Sequence, residues 1–329
     1  MTENLSSKKS KRMNVDFTNP YPPFPREVFF DLNNTCVSRC FFCSNSKISE
    51  RAYLDKELGF KLLQDFFDNG TRELALHATG EPFLREDLAE FVARAKKIGY
   101  EYIFMNTNGI LATPQRAKPV LDAGLDSIKF SVNAATRHSY RKVHGVDAFD
   151  IVIDNIKWFS EYRIKMRLAY RIYVSMVPTS ITQGELPILK KLLSDYVDEI
   201  DCRSCSNQGG NMIENNRTER IDKNNLLGSM KENQCIGKCP DLFFRCTVTP
   251  QGFLSPCVVD YQNYLVVADL HKTHIKDAWH NEVYVNLRKR HISGDLKGLM
   301  CYSCLNNCAA EAEPLLLEFA RPFKNANKI

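Results

Sequence analysis

The stretch Asn33-Asn34-Thr35-Cys36-Val37-Ser38-Arg39-Cys40-Phe41-Phe42-Cys43 decides how the rest of the chain is read. It follows the short apolar run 28–32 and sets three cysteines in a Cys-x3-Cys-x2-Cys pattern. Three thiolates this close on a loop can hold three irons of a 4Fe–4S cluster, with Cys36, Cys40 and Cys43 taking one each. The fourth iron then has no protein ligand. An open iron is what a cluster needs to act on a bound molecule rather than only carry an electron. Zinc is the competing assignment, but zinc sites usually take four protein ligands and favour paired Cys-x2–4-Cys elements.

Working outward, composition limits the rest. The 329 residues are 44% hydrophobic and 11% aromatic, enough to bury a core in one large α/β unit plus a smaller one. Twelve cysteines in a chain this long and this α/β-patterned do not make a secreted disulfide scaffold. The start carries Lys8, Lys9, Lys11 and Arg12 and no apolar signal-peptide core. No apolar run approaches membrane-spanning length. A cytoplasmic protein with no membrane partner is expected, its cysteines serving as metal ligands. The net charge of +5 is spread along the chain. The basic stretches 163–171 and 288–291 alternate with apolar residues and read as solvated faces, so no nucleic-acid partner is expected.

From residue 27 the pattern alternates strand and helix. Strands are expected at 28–32, 73–77, 102–106, 127–132, 168–176 and 199–203. Helices are expected at 57–68, 86–98, 114–123, 149–159 and 186–196. Short connections between such units argue for a parallel sheet rolled into a partial or complete barrel, with its active site at the C-terminal strand ends. The cysteine loop follows the first strand and so lies at that end. The expected organisation is a flexible basic arm at 1–26, a partial (β/α)6 barrel at 27–208, a linker at 209–234, a small cysteine-rich domain at 235–310 and a tail at 311–329. Within the small domain, 243–249 and 253–259 read as a hairpin around Pro250-Gln251-Gly252, and helix returns near 275–290.

The cysteine triplet, with an aromatic residue before its third member, resembles the signature of the radical S-adenosylmethionine (SAM) superfamily. Further segments extend the resemblance. Ala78-Thr79-Gly80-Glu81-Pro82 is similar to the family's Gly-Gly-Glu-Pro motif, with Thr79 in place of the first glycine. Asn106-Thr107-Asn108-Gly109 resembles its Thr-Asn-Gly segment. The resemblance implies a SAM site built from Phe42, Thr79, Gly80, Glu81, Asn106, Asn108, Ser131 and Asn133, with Arg171 as a candidate for SAM's carboxylate. Ser131 and Asn133 also have an ordinary reading as turn residues. The implied cofactors are a SAM-binding 4Fe–4S cluster and SAM itself.

The C-terminal cysteines extend the same comparison. Cys239-x12-Gly252-x4-Cys257, closed by Cys301-x2-Cys304-x3-Cys308, resembles the SPASM/twitch extensions that hold auxiliary clusters. The closing segment is shorter than a full SPASM pattern, and the twitch type with one auxiliary 4Fe–4S cluster is the better match. Cys239, Cys257, Cys301 and Cys304 are the expected ligands, with Cys246 and Cys308 as rivals and zinc as the alternative metal. Of the remaining thiols, Cys202 and Cys205 near the barrel mouth, or Cys246, are candidates to donate a hydrogen atom to a substrate radical. Inert buried thiols are the plainer reading of each, and Cys235 has no assignment.

The family resemblance does not fix the reaction. The first reading resembles 2-deoxy-scyllo-inosamine dehydrogenase and its relatives. It is hydrogen abstraction from a small polyol, sugar or amino sugar by a 5′-deoxyadenosyl radical. The auxiliary cluster then accepts an electron (dehydrogenation) or a cysteine returns hydrogen (epimerisation). The electron donor expected is a flavodoxin- or ferredoxin-type protein. The alternative is a peptide- or protein-modifying enzyme, of the peptide-maturase or sulfatase-maturase kind. A molybdenum-cofactor cyclase is not expected, because residues 325–329 lack that family's Gly-Gly tail and the cysteine spacing differs.

Overall fold

Strand Glu27–Phe30 (β1) is buried along its whole length, so both of its faces are covered. Val28 and Phe30 join a core that includes Leu62, Leu63 and Phe66 of the following helix. Phe29 points the other way, its ring 5.3 Å from that of His77 and 6.1 Å from that of Phe104. This alternation repeats through Glu73–Ala75 (β2), Tyr102–Thr107 (β3), Ser127–Ser131 (β4), Arg171–Met176 (β5) and Glu199–Cys202 (β6). Each strand pairs in parallel with the one before it. The computed structural model describes residues 15–213 and 238–324. Most of the expected linker, Cys235, the first fourteen residues and the last five lie outside the described residues.

The sheet is mixed and is not closed into a barrel. Its order is β6-β5-β4-β3-β2-β1-β7-β8-β9. Strand Arg245–Val248 (β7) pairs in parallel with β1, Phe253–Ser255 (β8) returns antiparallel to β7, and Ala268–Asp269 (β9) pairs with β8. The hairpin expected in the cysteine-rich segment is thus present as an extension of the same open sheet. Local periodicity marks a hairpin, but its docking partner is a long-range choice made by burial.

The crossover helices are Lys56–Asp68 (α1), Leu88–Ile98 (α2), Pro114–Asp122 (α3), Arg137–His144 (α4), Phe149–Met166 (α5) and Leu186–Leu193 (α6). Helix α1 is capped by Asp55, whose carboxylate accepts from Leu58 N at 2.8 Å. Helix α4 has no counterpart in the sequence reading, and α5 runs past its expected end at 159. Beyond β6 come Asp241–Phe244 (α7), Ile275–Trp279 (α8), Glu282–Ser293 (α9) and Met300–Asn306 (α10). Asn281 splits the helical stretch near 275–290, since its side chain accepts from Tyr284 N at 2.8 Å and starts a new helix.

Both ends of the described chain correct the expected organisation. The later part of the expected flexible arm is tied down: Trp279 Nε1 donates to Pro23 O at 3.1 Å, and the Phe17 ring lies 5.4 Å from that of Phe243. The start of the expected tail is docked as well, with Leu315 N bonded to Tyr264 O and Arg321 N to Gln262 O, both at 2.8 Å.

Candidate active site

The loop that leaves β1 is fixed from two sides. Helix α4 offers its last carbonyls to it: Arg39 N donates to His144 O at 2.8 Å and Phe41 N to Val143 O at 3.2 Å. From the other side, Asn45 Nδ2 donates to Asn34 O at 2.9 Å and to Thr79 O at 2.6 Å. Cys36, Cys40 and Cys43 thereby line one cavity of about 290 Å³ at the C-terminal ends of the strands. Each sulfur has one polar neighbour from a different part of the fold. Asn108 Nδ2 lies 3.5 Å from Cys36 Sγ, His144 Nδ1 3.3 Å from Cys40 Sγ, and the Tyr261 hydroxyl 3.6 Å from Cys43 Sγ.

These residues fit a cluster with three protein ligands. Burial pushes the Cys36 thiol up to about 11 and Cys40 well above its ordinary range, and the neighbouring thiolates add to both. An electropositive centre would relieve that cost by taking the thiolates as ligands and releasing their protons. The hydroxyl oxygens of Thr35, Ser38 and Ser44, which flank the cysteines, are buried without a hydrogen-bond partner, and a sulfide-bearing group there would give them acceptors. Among the described residues no three His, Cys, Asp or Glu side chains converge closely enough to hold a single metal ion.

The motif after β2 is built around one close approach. A Cβ on Gly80 would lie 2.1 Å from Asn33 O, so only glycine lets this strand end pass the cysteine loop. Thr79, the departure from the family pattern, donates its hydroxyl to the Asp31 carboxylate. Burial raises Asp31 to about 7, against the pull of that bond and of backbone N–H groups at 78–80. The Glu81 carboxylate accepts from the Thr107 hydroxyl at 2.7 Å, Asn108 N at 2.8 Å and Phe83 N at 3.1 Å. Its acceptor sites therefore tie the ends of β2 and β3 together, and burial raises its pKa. Phe42, Thr79, Gly80, Glu81, Asn106, Asn108, Ser131 and Asn133 all line the same cavity. Arg171 does not reach it. It opens β5 at the opposite end of the strand and pairs with Asp198 at 2.7 Å, because that position starts the strand rather than ending it.

The C-terminal cysteines gather from three places: Cys239 ahead of α7, Cys257 after β8, and Cys301 and Cys304 one turn apart on α10. All are raised chiefly by burial, Cys301 to about 12, and Cys239 and Cys257 each feel both Cys301 and Cys304. The rivals lie elsewhere on the same stretch of chain. Cys246 on β7 faces the layer of Arg288 on α9, where burial raises it. Cys308 follows α10, its backbone N–H bonded to Ser303 O at 3.3 Å.

The structure also fails to bring the hydrogen-donor candidates to the cavity. Cys202 pairs with Met176 in register, the parity that faces the helices. Cys205 is buried with its sulfur 3.9 Å from Ser206 O, and Cys246 is in the core. Sequence reasoning missed His77, Lys129, His144, Ser175 and Tyr261, all of which line the cavity. Parity along β2, β4 and β5 signals His77, Lys129 and Ser175. Thr136 and Gly145, which cap α4, are the available signal for His144. Tyr261 has no local signal, since a turn of the distant C-terminal segment delivers it.

Comparison with known proteins agrees with this geometry. Residues 31–178 match the radical SAM superfamily, and residues 239–308 match SPASM, an iron–sulfur cluster-binding domain. Residues 31–178 thus form a radical SAM domain and 239–308 an iron–sulfur cluster-binding domain, and the cofactors that these domains imply are a 4Fe–4S cluster, SAM and an auxiliary cluster. Among solved structures it is similar to BtrN in complex with AdoMet and 2-DOIA, at 20% identity and TM-score 0.54 over 91% of this chain and 98% of that one. It is also similar to Streptococcus suis SuiB bound to precursor peptide SuiA, at 15% identity and TM-score 0.64 over 86% and 69%. Curated relatives include a Saccharolobus solfataricus protein named "Probable GTP 3',8-cyclase", 40% identical over 130 residues, or 38% of this chain and 41% of the relative. A Sulfurisphaera tokodaii protein of the same name is 31% identical over 127 residues, 38% of this chain and 40% of the relative. The chain spans about two fifths of the length of these relatives. No helix among the described residues is long and apolar enough to cross a membrane.

Proposed function

We propose that this enzyme oxidises a small polyol, sugar or amino sugar by radical chemistry. The carrying observation is the pairing of two unlike thiol groups: three cysteines on one loop that line a cavity, and four others, Cys301 buried and the rest half-buried, gathered from distant parts of the chain. When bound, SAM and the reduced cluster supply a 5′-deoxyadenosyl radical able to take a hydrogen atom from an unactivated carbon. Cys36, Cys40 and Cys43 hold that cluster. Asn33, Thr79 and Gly80 shape the backbone edge for SAM's methionine end, and Asn106, Ser131 and Asn133 offer uncharged partners for its ribose. Cys239, Cys257, Cys301 and Cys304 would hold a second cluster able to accept the electron that a carbinol radical must lose to become a carbonyl, its hydroxyl proton leaving to water. A flavodoxin- or ferredoxin-type protein supplies the first electron. The fold likeness to BtrN over nearly its whole length supports this reading.

The curated relatives favour a second reading, nucleotide cyclisation. Anaerobically reconstituted enzyme, incubated with SAM and reductant in deuterated buffer, separates the outcomes by mass spectrometry. Dehydrogenation yields 5′-deoxyadenosine and a product lighter by two hydrogens. Epimerisation yields product carrying solvent deuterium. Cyclisation yields an isomer of GTP. Peptide modification would leave every small molecule unchanged.

A further inference from the structure

The two faces of helix α4 differ in what they meet. Its inner face carries Tyr140 and His144, both wholly buried. Their rings stack with centroids 4.2 Å apart, and His144 Nδ1 is the atom 3.3 Å from Cys40 Sγ. Its outer face carries His138, Arg141 and Lys142, all exposed. These are spaced three and four residues apart and so form one stripe. One turn on, at Gly145, the stripe meets the cysteine loop: a Cβ on Gly145 would lie 3.1 Å from Arg39 Cβ and 3.0 Å from Arg39 O. Arg39 is exposed as well, and Cys40 is the next residue. A basic stripe therefore runs along the helix and ends beside a cysteine of the open group.

The protein does not use these charges internally. Arg137, at the head of the helix, is committed to Asp147 at 2.8 Å and Asp150 at 3.6 Å. Glu185 is committed to Ala135 N and the Ser139 hydroxyl. Asp147 also feels Arg141, but it is already bonded to Arg137. Among the described residues no carboxylate forms an ion pair with Arg39, Arg141 or Lys142. Exposed charges contribute little to folding. They act through the field they project, which draws in a partner of opposite sign. Cys40 lies beneath this one helix, and a helix with its side chains is about 10–12 Å thick. Electron transfer weakens steeply with distance, so a donor seated on the outer face of α4 has a short path to the open group.

We propose that the exposed face of α4, together with Arg39, is the docking site of an acidic electron-transfer protein of the flavodoxin type. This rests on the reading that Cys36, Cys40 and Cys43 hold a cluster, and it adds where the electron enters. One electron leaves the anionic flavin hydroquinone, which becomes the neutral semiquinone, and passes to the centre at those cysteines. No bond is made or broken and no proton moves. Electron-transfer encounters use small interfaces, a size that the outer face of a two-turn helix can supply.

The first measurement is calorimetric titration of oxidised flavodoxin into full-length, anaerobically reconstituted enzyme at low ionic strength. Wild type binds saturably, and added salt weakens the binding. Arg141→Glu/Lys142→Glu weakens it about tenfold or more. Arg39 is left unchanged because it also lines the cavity. Lys165→Glu/Lys289→Glu makes the same change of net charge at two exposed residues, at the far end of α5 and on α9, and binds like the wild type. The second measurement is 5′-deoxyadenosine formation driven by reduced flavodoxin or by reduced methyl viologen, a small cation that needs no docking site. The α4 double variant needs about tenfold more flavodoxin for half its maximal rate and keeps the wild-type rate with viologen. Equal flavodoxin binding by the wild type and the α4 variant, equal weakening in the Lys165/Lys289 control, or loss of the viologen-driven rate would overturn the proposal. So would a wild type that viologen reduces and flavodoxin does not bind. A wild type that forms no 5′-deoxyadenosine even with viologen would remove the cluster reading as well.

Discussion

The two cysteine groups proposed to hold clusters are built in opposite ways. Cys36, Cys40 and Cys43 lie within eight residues on one loop. Each sulfur has a polar neighbour, Asn108, His144 or Tyr261, beside a cavity of about 290 Å³. Cys239, Cys257, Cys301 and Cys304 come from distant parts of the chain; burial raises Cys239 and Cys257 most, then Asp241 and Asp260 respectively, then the other thiols of the group. Three ligands with an open side suit a centre that binds a reactant. Four ligands drawn from separate elements suit one that passes an electron or braces the fold. The difference in build predicts a difference in response to mutation.

The largest effect is expected at the open group. Cys36→Ala/Cys40→Ala/Cys43→Ala should abolish 5′-deoxyadenosine formation and keep about half of the iron, about four of eight atoms. Measured SAM cleavage in that variant would break the assignment. Replacing any of Cys239, Cys257, Cys301 or Cys304 by alanine should instead remove iron from the closed group, lower the melting point, and leave SAM cleavage detectable but uncoupled from product. Cys246→Ala and Cys308→Ala should keep the full iron content. Iron lost from either variant would show that the closed group has been drawn with the wrong members.

A smaller effect tests how the open group is held. Gly80→Ala puts a methyl group on Asn33 O, a backbone atom with no room to move aside. Overpacking of this kind costs about 1–3 kcal/mol. Here the strand end must shift, so SAM affinity should fall by about tenfold or more while iron content holds. Calorimetry with SAM, alongside iron analysis, checks both halves of that expectation.

The same contrast explains which parts of the molecule are legible in its sequence. The loop cysteines are legible because spacing alone brings their sulfurs together. So are the six parallel strands, whose apolar runs and closing glycines are local. Helix α4 escapes such a reading because Arg137–His144 holds Arg137, His138, Arg141 and Lys142 on a short amphipathic turn, too polar to stand out. With it goes His144, the neighbour of Cys40. The choice among Cys239, Cys246, Cys257 and Cys308 cannot be made from spacing. Strand parity bears on Cys246 alone, which it sends into the α9 layer. Arg171 is misplaced for a related reason: a strand's residues are easy to name, but which end meets the site depends on its boundaries, and β5 begins at Arg171 rather than 168.

The smallest expected effect probes the join between the two groups. Asp31, Thr79, Tyr261, Cys257 and Asp260 line one small cavity between the barrel and the β7–β8 hairpin. Burial raises Asp31 to about 7 and Asp260 to about 6. A carboxyl with an ordinary value near 3.8 in the unfolded chain gives up its proton there before it does in the native state. Stability linked to Asp31 is therefore fully present below about 4, declines as pH rises through about 7, and is flat above that. The full span amounts to a few kcal/mol at most. Asp31→Asn retains an acceptor for Thr79 and removes the titration. Its melting point should fall less than that of the wild type between pH 5 and pH 8, with Asp260 left as the source of the remaining slope at the acid end. The Tyr261 hydroxyl, which burial also raises, stays neutral across that range. An unchanged pH slope in Asp31→Asn would move the titrating group to the Asp260 side of the cavity, and with it the pH sensitivity from the barrel to the hairpin.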